Sequence, residues 1–144
     1  MKMEYSCGAV VFELTGNEIR YVIVQGLGGG FSFPKGHMEK GESRKETALR
    51  ELREEIGLNA SFIPGFREED EYPLMKKPGV CKQVTYFLCR LHGEVLTPQP
   101  SEISKILLLP LEEALECFHL PGHRRVLQAA DAFIRKNILQ EQGD

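Results

Sequence analysis

Residues 33–58 read FPKGHMEKGESRKETALRELREEIGL, Phe33 to Leu58. The stretch opens on a proline-glycine break at Pro34 and Gly36. Ser43 and Glu46 then form a Ser-x-x-Glu capping box, which starts a helix. Gly57 supplies the residue that ends it. The spacing predicts a helix from Ser43 to Ile56. At about 100° per residue, Ala48, Leu49, Leu52 and Ile56 fall on one face, suited to packing on a sheet. Glu51, Glu54 and Glu55 share a second face, at i,i+3 and i,i+4 spacing. Like charges at such spacing cost about 0.2–0.5 kcal/mol per pair. Either the helix is solvated, or the carboxylates are gathered for a cation. Hard divalent ions take oxygen ligands, and Mg²⁺ in particular is held by a few carboxylates together with substrate phosphates. Arg50 lies four residues before Glu54 and can pair with it.

Around this helix the pattern is that of a mixed α+β domain. Residues 4–14 and 18–26 are rich in β-branched and aromatic residues and flank the turn at 15–17, so they read as a hairpin. Residues 26–30, GLGGG, form a loop; no Lys-Ser or Lys-Thr follows, so they are not a P-loop. Residues 31–33 read as a short strand. Residues 60–72 and 80–95 read as long paired strands, joined by the lysine-containing loop 73–79. Residues 104–110 read as a short buried strand, and 111–118 and 122–139 as helices. There is no repeat and no regular βαβ alternation.

Bulk composition narrows the function. The 144 residues suit one domain, 1–144, that buries its own core. A net charge of -3 gives no basic excess for duplex nucleic acid or an anionic membrane. Cys7, Cys81, Cys89 and Cys117 show no zinc spacing and read as reduced core residues. The N-terminal segment has no signal-peptide pattern and no stretch is long enough to span a bilayer, so a cytoplasmic location is expected. A monomer is expected as well.

Gly36, Glu42, Arg50, Glu51, Leu52, Glu54, Glu55, Gly57 and Leu58 match, without exception, the box G-x5-E-x7-R-E-U-x-E-E-x-G-U, where U is bulky and aliphatic. By these residues the chain resembles the Nudix hydrolases. The resemblance implies an α/β/α sandwich with a mixed sheet between helices, and Mg²⁺-dependent hydrolysis, with Mn²⁺ able to substitute, of a nucleoside diphosphate linked to another group. It implies Glu51, Glu54, Glu55 and the Gly36 carbonyl as metal ligands. Arg50 orients a glutamate, and Glu42 supports the junction of loop and helix. Either Glu51 or Glu102 serves as general base.

Outside the box, FSFPKGHMEKGE, KQVTYFL (82–88) and SEISKILLLPLEEA resemble the asymmetric diadenosine tetraphosphate hydrolases of animals and archaea. That group cleaves its dinucleotide to ATP and AMP. The likeness implies that Lys35, His37 and Lys82 face the polyphosphate, with Lys76 and Lys77 near its distal end. Tyr86 and Phe133 would sandwich an adenine. Two departures are evident: Phe31 stands where that group often has Trp, and the Gly-rich loop lacks the polar and aromatic residues common there. Two alternatives stand beside this reading. One is a nucleoside triphosphate pyrophosphatase or an enzyme trimming RNA 5′ ends. The other is a nucleotide-binding module without catalysis.

Overall fold

The computed structural model describes residues 1–139. Its strands are β1 (Lys2–Thr15), β2 (Glu18–Gly26), β3 (Phe31–Ser32), β4 (Lys35–His37), β5 (Glu68–Pro73), β6 (Val80–Leu91) and β7 (Ile103–Pro110). Its helices are α1 (Arg44–Ile56), α2 (Leu111–Glu116) and α3 (Pro121–Ile134), the last running into a π-helical turn at Arg135–Leu139.

β1 and β6 lie in parallel register from Lys2 opposite Val80 to Glu13 opposite Leu91, while every other pairing is antiparallel. The sheet is therefore mixed. Both faces of its central strands are apolar because both are covered. Val10, Phe12, Val84, Tyr86 and Leu88 pack with Leu115, Val126, Leu127 and Ile134 of α2 and α3. Cys7, Ala9, Val11, Phe87 and Cys89 pack with Ala48, Leu52 and Ile56 of α1. Burial of Leu52 and Ile56 alone stabilises the α1 layer by about 1.5–3 kcal/mol each. On the other side, the Tyr21 hydroxyl donates to Asp131 at 2.6 Å, and Arg135 pairs with the same carboxylate at 2.8 Å, which fastens α3 to β2. The helix–sheet–helix layering expected from the sequence is the architecture observed.

β1 has two successive partners on one edge. Phe12–Thr15 pair with β2, whereas Ser6–Gly8 pair with β4. The fork brings residues 33–37 across the sheet and over α1. Pro34 and Gly36, expected only to break the chain, instead flank and occupy a strand, Lys35–His37. Three further expectations are corrected. Residues 60–72 are not one long strand: Phe62 makes an isolated bridge to Cys89, Pro64 and Gly65 turn the chain, and regular pairing starts at Glu68. β7 is half-buried along most of its length, because it pairs on one side only, with β2. The last helix ends its α-helical segment at Ile134.

Candidate active site

α1 is fixed at both ends by local chemistry. Ser43 Oγ accepts from Glu46 N at 3.1 Å and Glu46 Oε1 accepts from Ser43 N at 2.8 Å, a complete capping box. Gly57 adopts φ 68°, and its N–H donates to Arg53 O. The phase of α1 set by these caps and by Leu52 and Ile56 turns Glu51 and Glu55 inward, under β4. Both are only 9% exposed. Glu54 points outward, its side chain 53% exposed.

Above the two buried carboxylates lies Gly36, where any Cβ would overlap the Glu51 carboxylate. Gly8, on the neighbouring strand β1, is constrained in the same way. A Cβ there would overlap the Pro34 carbonyl oxygen and come within 2.7 Å of Lys35 Cα. Two missing side chains thus let β4 lie between β1 and α1, and the Lys35 N–H then donates to Glu55 Oε1 at 3.2 Å.

Arg50 ties the surrounding loop to the helix. Its Nε and Nη2 donate to the two oxygens of Glu42 at 2.7 and 3.0 Å. Nη1 reaches Glu51 at 2.8 Å and Glu54 at 3.1 Å, and Nη2 also donates to the His37 carbonyl at 2.9 Å. Glu42 additionally accepts from Glu39 N–H and from Thr47 Oγ1. Arg50 and these other donors hold the Glu42 carboxyl down at about 2. The buried carboxylates move the other way. Burial raises Glu51, against the pull of Arg50. Burial pushes Glu55 up to about 7; the neighbouring charges of Glu51 and Glu102 add to this, and the Lys35 N–H and charge oppose it. Glu102 is exposed just before β7, near enough for its charge to act on both buried glutamates.

A cationic rim lies beside this anionic floor. Lys35 is half-buried; burial lowers its pKa, while the charges of Glu55 and Glu51 oppose the shift. Lys82 on β6 is brought down to about 8 by burial and by the charge of Lys35. His37 is also lowered, by burial first and then by Lys82. Lys77 pairs with Glu4 at 3.0 Å and adds its charge to the same end of the sheet. Lys35, His37, Lys77 and Lys82 come from three separate segments that β1, β4 and β6 bring together.

A family model described as the NUDIX domain matches residues 5–130. The chain belongs to the Nudix family. It is 32% identical over 141 residues to the asymmetrical bis(5′-nucleosyl)-tetraphosphatase of Sus scrofa, covering 90% of this chain and 94% of that protein. It is likewise 32% identical over 113 residues to the MutT4 protein of Mycobacterium tuberculosis, matching 78% of this chain but spanning only 45% of that longer protein. Among solved structures, a C. elegans Ap4A hydrolase binary complex superposes with a TM-score of 0.84 at 22% identity, covering 92% of this chain and 98% of that one. The chain is therefore a Nudix hydrolase with the family's fold, and hydrolysis of nucleoside polyphosphates is its class of reaction. No helix among its described residues is long and apolar enough to cross a membrane.

Two residues of this Nudix hydrolase do not sit where the adenine sandwich needs them. Tyr86 is fully buried, edge-on to Phe33 at 5.2 Å, so neither face of its ring is open to a base. The alternation of β6 points it into the α3 layer, between Val84 and Leu88. Phe133 packs edge-on against Phe66 at 5.6 Å, on the last turn of α3. It is not paired with Tyr86. An open pocket with aromatic walls lies elsewhere, between the Gly-rich loop and the start of α3. It has a volume of about 230 Å³ and is lined by Phe31, Phe118, His119 and His123 among others. The His123 ring is tilted against Phe118, with centroids 4.8 Å apart, and lies within electrostatic reach of Lys35. Its position follows from the packing of α3 on the sheet, for which a lone histidine in a sequence carries no signal.

Proposed function

We propose that this Nudix hydrolase cleaves a nucleoside polyphosphate, diadenosine tetraphosphate above others, to ATP and AMP by Mg²⁺-assisted attack of water on phosphorus. The observation that carries the reading is the pair of buried carboxylates, Glu51 and Glu55, directly beside a rim of Lys35, Lys82 and His37. An anionic floor next to a cationic rim is what a metal–polyphosphate complex requires, since metal and phosphates have opposite needs.

The donor chemistry fits a hard divalent ion. Carboxylate and carbonyl oxygens are present, and two carboxylates held out of water in one place gain most from a cation. Among the described residues no three acidic, His or Cys side chains are gathered closely enough to hold an ion as they stand. Glu51, Glu55 and the Gly36 carbonyl would hold it, joined by the exposed Glu54 on release from Arg50. Mn²⁺ offers the same coordination chemistry. The ion's contribution, when bound, is to neutralise phosphate charge and lower the pKa of coordinated water.

The chain's own residues do the rest. Lys35 and Lys82 bind the non-bridging oxygens of the phosphate chain, and His37 and Lys77 extend the rim outward. Arg50 holds Glu51 in place and keeps the loop at His37 closed on the helix. Glu102, whose charge acts on the same floor, takes a proton from water, with Glu51 the alternative. The pocket beside Phe31 and His123, with the buried Phe118 behind them, receives a nucleobase by stacking, in place of the Tyr86–Phe133 pair. The 32% identity to the pig tetraphosphatase over nearly its whole length supports the dinucleotide as substrate.

The test is product analysis in ¹⁸O-water with Mg²⁺, running diadenosine tetraphosphate beside dATP, GTP, ADP-ribose and triphosphorylated RNA. Preferential conversion of the dinucleotide to ATP and AMP, with label on one product only, is expected. Faster cleavage of a mononucleotide or of RNA ends refutes the substrate and leaves the reaction class.

A further inference from the structure

A cavity with mixed polar and apolar walls lies outside the active site, at the C-terminal end of β6. It measures about 450 Å³ and is walled by Asn59, Ser61, Phe62, Arg90, His92 and Glu94, with Ile63 and Ile138 completing an apolar side. That volume is in the range of small-molecule sites, which combine an apolar wall with a few placed polar groups. Arg90 pairs with Phe12 in β1, whereas Lys35 belongs to the Gly8–Tyr86 level. Four strand residues separate the two, about 13 Å at about 3.3 Å each. The cavity shares none of the active-site residues named above.

Three features describe what fits. First, Arg90 lines the cavity and is only partly buried, and among the described residues its guanidinium has no hydrogen-bond or ion-pair partner. A guanidinium without an acceptor takes a carboxylate or phosphate in charge-assisted hydrogen bonds. Second, the carboxylate of Glu94 is turned to the backbone N–H of His92. Its negative charge stands in the same wall, so the site carries one cation and one anion. That balance favours a singly charged ligand over a phosphate monoester, whose charge is near -2. Third, Phe62 is held rigid by stacking on Phe87 at 5.0 Å and 19°, and Ile63, Pro64 and Ile138 extend the same apolar wall.

We propose that this cavity is a second ligand site, which binds an aromatic monocarboxylate through Arg90. The carboxylate pairs with the guanidinium, Asn59 and Ser61 offer further donors, and the ring lies on the Phe62 wall. The site begins two residues beyond Gly57, the residue that ends the glutamate-bearing helix.

The test is titration of the ¹⁵N-labelled full chain with 2-naphthoate, followed by amide shifts. Saturable shifts at Asn59, Ser61, Cys89 and His92 are expected. Two probes control the head group: 2-naphthamide, which lacks the charge, and 2-naphthyl phosphate, which doubles it. Each is expected to bind about tenfold more weakly, the loss of one charge-assisted contact. Arg90→Gln is expected to weaken naphthoate by the same factor. Ser61→Trp, at an exposed loop position, fills the cavity and abolishes the shifts, with nucleotide hydrolysis unchanged; it serves should Arg90→Gln fold poorly. No saturation, shifts centred on Lys35 and Lys82, or binding indifferent to Ser61→Trp would overturn the site. Tighter binding of the phosphate would overturn its preference for a single charge.

Discussion

Gly8→Ala is expected to damage the active site although residue 8 touches no substrate. Gly8 does not need a left-handed backbone, so the effect is one of space alone. A Cβ there would lie 2.7 Å from Lys35 Cα and 2.6 Å from Lys35 Cβ, and would overlap the Pro34 carbonyl. Unbonded carbons rest about 3.5–4.0 Å apart, so β4 must retreat from β1 by about 1 Å. The opposing atoms are backbone, which cannot rotate away. The displaced segment holds the Ala9 N–H to Pro34 O bond, the three-residue β1–β4 ladder and the Lys35 N–H to Glu55 bond. Overpacking costs about 1–3 kcal/mol, and each weakened hydrogen bond about 0.5–1.5 kcal/mol. A total loss of about 2–4 kcal/mol is expected by urea denaturation. Because Lys35 and Gly36 move with β4, turnover is expected to fall about 100-fold, as for other misplacements of about 1 Å. Amide exchange at Lys35 and Gly36 should accelerate while that of Val22 and Leu88 does not. Gly28→Ala is the control: nothing lies within 4 Å of its added Cβ, and both stability and turnover should be unchanged. A Gly8→Ala protein with wild-type stability and turnover would falsify the account of β4 as a strand wedged between β1 and the glutamate helix.

Glu55→Gln is expected to lower turnover about 100-fold or more, since removing one charge-stabilising group costs about 2.7–4 kcal/mol of barrier; steady-state kinetics and a Mg²⁺ titration check it, and the melting temperature should not fall. Tyr21→Phe deprives Asp131 of one of its two partners, so a loss of about 1–3 kcal/mol in urea unfolding is expected, with KM and kcat unchanged, because the contact lies in the α3 layer. Lys82 carries a pH effect. Its folded pKa, about 8, lies below the ordinary lysine value of 10.5, so between these values the unfolded chain binds more protons and stability rises with pH. Wild type should therefore gain stability relative to Lys82→Met as pH climbs from about 8 to 10.5. Over the same rise KM for the polyphosphate should increase in wild type and stay flat in the variant; parallel KM curves would remove Lys82 from substrate binding.

The helix of the site was legible because its signals are local. Ser43, Glu46 and Gly57 declare its ends, and the spacing of Leu52 and Ile56 declares its buried face. The glutamates were legible as a group for the same reason. Which of them are buried was not, since that depends on β4, a short strand paired to Ser6–Gly8, far back in the chain. Pro34 and Gly36 look like breakers in isolation; only Gly8, which leaves room for them, makes Lys35–His37 a strand. Tyr86 fails differently. In a strand covered on both faces, alternation no longer separates core from surface, so a motif likeness put the ring at the substrate while packing put it against Phe33. In residues 60–72, β-rich composition outweighed the Pro64–Gly65 break, and the break prevailed. The pocket around His123 exists only once α3 docks, through contacts such as Tyr21 to Asp131 that span most of the sequence.

The placement of Glu51 and Glu55 also explains why Arg50 has so many partners. A helix that turned two glutamates inward with no cation nearby would favour a rotation that exposes them, or their protonation. Arg50 resists the rotation by binding Glu42 and His37 on the loop as well as Glu51 on the helix, so that turning α1 would break contacts at both. It does not neutralise Glu55, whose hydrogen bond among the described residues is the Lys35 N–H, with the Lys35 charge nearby. The site is thus held in shape with one carboxylate undercompensated, its pKa raised to about 7 mainly by burial. Replacing Arg50 with Lys keeps the charge but cannot span Glu42, Glu51 and His37 at once. The helix would then be expected to keep its caps and its core contacts while Glu51 loses its fixed direction, a loss that should appear in kcat far more than in stability.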